Sequence, residues 1–188
     1  MRTFLAPTLR AVLVLTVLTG LGYPALITGL AQLAFPDQAN GSLVVDEGRT
    51  LGSRLVGQPF HEAGHFWSRP SATSPEYNGS ASAASQLGPT SPVLDSAVRA
   101  RVAVLRASGA VGPIPVDLVT ASGSGLDPDI SPASAYLQIG RVARARGLDS
   151  SRVHQLVADR VRGRTWGLLG EPRVNVLELN LALDRISR

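Results

Sequence analysis

The chain has 188 residues, 44% of them hydrophobic and 17% charged, with no cysteine and a formal net charge of +4. Without cysteine there are no disulfides, thiolate metal sites or cysteine nucleophiles. All 18 basic residues are arginine, but from Asp37 onward 16 Arg face 14 acids, a balance of +2 that excludes a nucleic-acid binder's basic footprint despite a pI of about 10.6.

Residues 11–36 contain no Asp, Glu, Arg, Lys or His. A stretch of this length exceeds the roughly 20 residues a helix needs to cross the hydrocarbon core of a bilayer. Arg2 and Arg10 precede it, whereas Asp37, Asp46 and Glu47 follow before the next basic residue, Arg49. Basic flanks stay cytoplasmic, so residues 1–10 are expected inside and residues 37–188 outside. The alternative is a cleaved signal peptide, with Gly29-Leu30-Ala31 as the cleavage site. Signal cores run about 7–15 residues, so the length favours a retained span. Within it, the pairs Thr16/Gly20 and Ala25/Gly29 are small residues four apart, suited to close helix contact in lipid but also common in any membrane helix. Pro24 is expected to bend or weaken the helix.

After the anchor, residues 43–45 and 51–56 read as a hairpin across Asp46-Glu47-Gly48. Residues 57–92 are rich in Gly, Pro, Ser, Ala and Asn and predict a long loop. Phe60, Phe66, Trp67 and Tyr77 argue against plain disorder there. Ser91-Pro92 opens a helix with Leu94, Ala97, Val98, Val102 and Leu105 at helical spacing, stopped by Gly109. Residues 116–120 read as a short buried strand. Ser131-Pro132 opens a helix that presents Tyr136, Ile139 and Ala143 and ends at Gly147. A third spans residues 151–162, with Val153, Leu156, Val157 and Val161 inward. The tail, residues 174–186, alternates Leu177, Leu179, Leu181 and Leu183 like a strand, yet Asn175 and Glu178 resemble a capping box. Helix is the favoured reading. Residues 141–188 hold 10 Arg and 5 acids, a basic surface for a protein partner, acidic lipid headgroups or plain solvent.

Two stretches carry motif-like spacing. His61-Glu62-Ala63-Gly64-His65 matches H-E-x-x-H, whose zinc chemistry needs one helix to present both histidines. Pro59, Gly64 and Pro70 oppose that helix, and Ser68 and Ser71 stand where a metzincin has Gly and a third His. A membrane-anchored extracytoplasmic zinc hydrolase is therefore the weaker alternative. Ser122-Gly123-Ser124-Gly125-Leu126-Asp127-Pro128-Asp129 offers an anion cradle or a structural turn. It lacks a Walker lysine, dinucleotide spacing, a nucleophile elbow and an EF-hand pattern. A structural turn, carried by Ser122, Gly123, Ser124, Gly125 and Asp127, is the favoured reading.

Taken together, several segments resemble the KdpC family, a subunit of the bacterial Kdp potassium-transporting P-type ATPase. They are Gly52-Ser53-Arg54-Leu55-Val56-Gly57-Gln58 with Phe60, Arg69-Pro70-Ser71-Ala72, Leu87-Gly88-Pro89-Thr90 and the long run from Pro115 to Pro128. Arg141-Val142-Ala143, Ala145-Arg146-Gly147-Leu148 and the run from Leu169 to Asn180 complete them. Ala83-Ala84, Gln86, Ser91 and Asp129 depart from the family's usual residues, and the HEAGH segment falls in a variable part. The resemblance implies a single N-terminal transmembrane helix plus one α+β extracytoplasmic domain with a small sheet and about four helices. It further implies a non-catalytic accessory subunit in the bacterial inner membrane, needed for assembly. Its partners would be a potassium channel-like subunit, a P-type catalytic subunit and a very small membrane subunit. The complex would use ATP, magnesium and potassium, with no cofactor on this chain; some accounts of the family add help with ATP binding. Thr16, Gly20, Ala25 and Gly29 in the helix, and Phe66, Trp67 and Arg69 in the loop, are the candidate partner contacts.

Overall fold

The computed structural model describes residues 2–46 and 48–187, so Glu47, in the expected hairpin turn, lies outside the described residues. The chain divides into two compact units, Met1–Leu51 and Gly52–Arg188.

In the first unit, α1 (Arg2–Leu15), a π-helical stretch (Thr16–Gly22) and α2 (Tyr23–Ala34) run on without a break. Leu5–Ala34 is long and apolar enough to cross a membrane, with a mean hydropathy of 1.9. The π stretch ends next to Pro24. Proline has no N–H to give the carbonyl four residues back and its ring crowds that carbonyl, so the turn widens. Tyr23 accordingly donates its N–H to the Leu18 carbonyl, five residues earlier, and the Thr19 hydroxyl donates to Leu15 O at 2.8 Å. A short α3 (Pro36–Ala39) follows, then β1 (Leu43–Asp46), which pairs with β2 (Arg49–Ser53).

The second unit is a small α+β domain. Its α-helices among the described residues are α4 (Pro92–Ala107), α5 (Pro132–Arg146), α6 (Ser150–Ala158) and α7 (Val176–Ile186). A second sheet, whose pairing was not among the predicted features, joins β3 (Asp129–Ile130) to β4 (Val174–Asn175) antiparallel, with Ile130 opposite Val174. Residues 116–120, expected as a strand, instead form a 3₁₀ turn over Val116–Leu118. Thr120 folds back to bond the Val116 carbonyl through both its N–H and its hydroxyl, which closes the segment on itself as a turn.

The tail is the favoured helix: Leu177, Leu179, Leu181 and Leu183, whose alternation resembled a strand, all lie in α7, and only Val174–Asn175 ahead of it is extended. Asn175 ends β4 and caps α7, its side-chain oxygen accepting the Glu178 N–H. From Val176 the burial follows helical spacing, with Val176, Leu179, Asn180 and Leu183 on one inner face. That face meets Val142 of α5, Val153 and Val157 of α6, Ile130 and Val174 in the main core. A second cluster holds Leu105, Leu118 and Val119 beneath α4. Gly147 ends α5 at φ 64°, the left-handed conformation in which a side chain is strained.

Candidate functional site

Residues 57–92 contain no helix or strand before α4 begins at Pro92, yet this loop is held by side chains on every flank. The Asn180 amide oxygen accepts the Phe66 N–H at 2.8 Å while its NH₂ donates to the Phe66 carbonyl at 3.0 Å. Gln138 does the same for Trp67, at 2.7 and 3.2 Å. Two helix side chains thus act as a strand partner for two consecutive loop residues. Both amides are buried, and a buried backbone pair left without partners is costly. Neither residue stands among the sequence-based candidates. The available signal was an amide on an otherwise apolar helix face, Asn180 beside Leu179 and Gln138 beside Ile139.

The HEAGH segment is a turn rather than a helix. Arg141 donates to the carbonyls of Ala63 and His65 at 2.6 and 2.8 Å, and Arg146 to that of Gly64 at 2.7 Å. A Cβ on Gly64 would lie 3.0 Å from Arg146 Nε, so the close approach suits glycine. The two histidines diverge: His61 faces Glu76 at 3.0 Å, and His65 faces Glu62 at 3.3 Å and Asp184 at 3.7 Å. No group of three metal-ligating side chains occurs among the described residues. The zinc-hydrolase alternative therefore has no support, because the helix that would aim both imidazoles at one ion does not form.

Arg141 also lies over the Trp67 ring, 3.8 Å from its centroid, and bonds Gln138 at 2.6 Å. Burial pushes its guanidinium down to about 10. Phe66 has no exposed surface and sits in the main core. As a partner contact it is corrected: a docking protein cannot reach it while the domain is folded. Trp67 and Arg69 are half-buried and line a cleft of about 290 Å³ between the loop and α4, walled by Phe60, Tyr77, Val104 and Leu118. Arg69 pairs with Asp127 at 2.7 Å, while its buried Nε has no acceptor among the described residues.

Ser122, Gly123, Ser124, Gly125 and Asp127 form a turn that grips the loop. The Ser122 and Ser124 hydroxyls accept the N–H groups of Gly125 and Leu126 at 2.9 and 3.1 Å, so those donors are not free for an anion. Ser124 O accepts from Ala83 N, Gly125 O from the Ser71 hydroxyl, and Leu126 O from Gly57 N. Asp127 accepts the Asp129 N–H besides its pairing with Arg69. Gly125 stands at φ 70°, and a Cβ there would come within 2.6 Å of the Ala83 carbonyl. Asp129 sits behind this turn; burial raises its pKa against a hydrogen bond from Asn175 that lowers it.

Tyr77 completes the clamp by donating its hydroxyl to the Arg69 carbonyl. Burial pushes its phenol up to about 12, with the Ser68 hydrogen bond acting against the rise. The unfolded phenol ionises near pH 10, so between about pH 10 and 12 only the unfolded chain loses that proton. The tyrosine's contribution is complete below pH 10 and is lost as pH rises through 12. In an ultraviolet titration of the full chain, Tyr77 should ionise near pH 12. That late step should vanish in Tyr77→Phe; its persistence would assign it elsewhere.

The fold and site define a protein with one helix long and apolar enough to cross a bilayer and, following it in sequence, a small α+β domain whose buried polar side chains clamp backbone. The chain matches the family model of the K+-transporting ATPase c chain, KdpC, over residues 5–185. The potassium-transporting ATPase KdpC subunit of Sorangium cellulosum (strain So ce56) is 62% identical over 187 residues, covering 98% of each chain. Those of Methylibium petroleiphilum and Herpetosiphon aurantiacus are 58% and 56% identical, again over at least 98% of each chain. The chain belongs to the KdpC family of potassium-transporting ATPase subunits.

Proposed function

We propose that this chain is a non-catalytic accessory subunit of an ATP-driven potassium-uptake complex, needed for its assembly. It spans the inner membrane once and carries its domain on the outer face. The observation that carries the topology is the charge asymmetry about the apolar helix: Arg2 and Arg10 before it, Asp37 and Asp46 after it. In this arrangement the domain lies across the bilayer from cytoplasmic ATP. It docks over the outer mouth of the channel-like subunit and shapes access to its filter, while the P-type subunit hydrolyses ATP. The cleft at Trp67 and Arg69 is the proposed contact on the domain, supported by the Arg69 Nε that lacks an acceptor among the described residues. Thr16, Gly20, Ala25 and Gly29 are all exposed, and a Cβ on Gly29 would meet nothing within 4 Å. They are the proposed contacts with the channel-like, catalytic or very small membrane subunits.

The lack of cysteine supplies a clean test. Val111→Cys, at a site 85% exposed, introduces the chain's one thiol. A membrane-impermeant maleimide should label it in intact spheroplasts. Labelling only after permeabilisation would place the domain in the cytoplasm and overturn the proposed docking.

A further inference from the structure

Two clefts lie between α4 and the loop of residues 57–92, and one arginine belongs to both. The first, of about 290 Å³, is lined by Trp67 and Val104 among others. The second, of about 250 Å³, is lined by Leu87 and Leu94. Arg101 stands in the wall of each, so the clefts lie on either side of its side chain. Leu94 in the second cleft and Leu105 in the first are about 16 Å apart along the helix, at about 1.5 Å per residue. That length matches roughly five residues of extended chain at about 3.3 Å each.

Charge indicates what such a chain presents. Of the charged side chains lining the two clefts, Arg101 alone has no carboxylate partner among the described residues. Arg69 pairs with Asp127 at 2.7 Å, and His61 with Glu76 at 3.0 Å. Asp95, on the same helix as Arg101, is taken by Arg99 at 2.8 Å. One Nη of Arg101 donates to the Val119 carbonyl at 2.8 Å, which fixes the direction of the half-buried side chain. Its Nε and second Nη are open to solvent, since Arg69 Nε is the one buried side-chain atom left without a partner among the described residues. These two nitrogens form the planar fork that fits a carboxylate with two hydrogen bonds. Water satisfies them while the groove is open. A partner lying across the groove removes that water and leaves a bare charge, which is costly unless the partner brings an anion of its own. Apolar walls on both sides of the fork call for apolar side chains beside that anion.

We propose that the groove along α4 receives an extended segment of another subunit of the same ATPase, with a carboxylate on Arg101 and an apolar side chain in each cleft. Residues two apart in an extended chain share a face, so the segment reads apolar, any, Asp or Glu, any, apolar. This rests on the docking proposed for the Trp67 cleft and names what the partner presents there.

The chain contains no lysine, which supplies the test. Arg101→Lys, in the full chain tagged and produced with the other subunits, places the chain's one side-chain ammonium at the site. A zero-length carbodiimide joins an amine to a carboxylate in direct contact with it. Mass spectrometry of the treated complex should find position 101 joined to an Asp or Glu of another subunit. In parallel, Val104→Cys, the one thiol present and at a site 58% exposed, should react with a maleimide at least about tenfold more slowly in the complex than in the free chain in the same detergent. Arg101→Gln keeps a donor for the Val119 carbonyl and drops the charge. It should reduce recovery of the other subunits severalfold without moving the chain's own unfolding midpoint. If Arg101→Lys unfolds normally but blocks assembly, the guanidinium fork is itself required. A cross-link confined to this chain, or none in an assembled complex, overturns the acidic segment; slow labelling at position 104 would then leave the cleft as a contact of another kind. Equal labelling in free and assembled chain overturns both. Protection of position 104 by anionic vesicles alone also overturns the proposal, assigning the groove to lipid. Should the wild-type chain recover no other subunit, the accessory role itself fails, a result distinct from an empty groove in an assembled complex.

Discussion

Asn180→Leu is expected to destabilise the domain by about 3 kcal/mol, although it keeps the side-chain volume and adds apolar surface to the core. The change strips partners from the N–H and the carbonyl of Phe66, both bound by the Asn180 amide at 2.8 and 3.0 Å. Each buried backbone group left unpaired costs about 1–3 kcal/mol, and the gain from burying leucine offsets only part of it. Urea unfolding of the full chain in detergent, followed by tryptophan fluorescence, measures the effect. Trp67 is the neighbour of Phe66 and reports on the loop directly. A midpoint within error of wild type would mean that the loop does not depend on this amide.

Phe66→Ala is expected to cost about 3–5 kcal/mol, the range for emptying a large aromatic site in a packed core. Phe66 is fully buried in the cluster that holds Ile139, Val142, Val174 and Leu179. The loss of subunit association in this variant would follow from loss of the domain, not from a missing contact. The same unfolding assay separates the two: a variant with wild-type stability but weak association would restore Phe66 as a docking residue. Trp67→Ala leaves the Gln138 pairing with the backbone in place and removes only the ring and its stacking on Arg141. It is the better probe of the cleft.

Both predictions concern a loop whose length was evident in the sequence but whose anchoring was not. Proline and glycine between residues 57 and 92 excluded regular elements, and four aromatics marked the segment as ordered. Which aromatic turned inward depended on partners 71 and 114 positions away, beyond any local pattern. The turn at residues 122–127 was legible as a turn, yet its grip on Ala83, Ser71 and Gly57 was not. The exposed segment at residues 164–170 left no periodic signal, since its apolar residues follow neither a helix nor a strand.

Local signals along the chain were enough for the membrane-length helix, for the Ser-Pro starts of α4 and α5 and the Asn start of α7, and for the family, while α6, expected over residues 151–162, is capped by Asp149 and ends at Ala158. Those signals are an unbroken apolar run, 3.6-residue spacing, capping residues and long matched motifs. Three features emerged only in the folded domain: the pairing of Asp129–Ile130 with Val174–Asn175, the burial of Phe66 and the left-handed backbone at Trp166. The physical reason is common to all three. The first two depend on groups distant in sequence meeting through the closed fold, and the third on a positive-φ turn, and none of these carries a period along the chain.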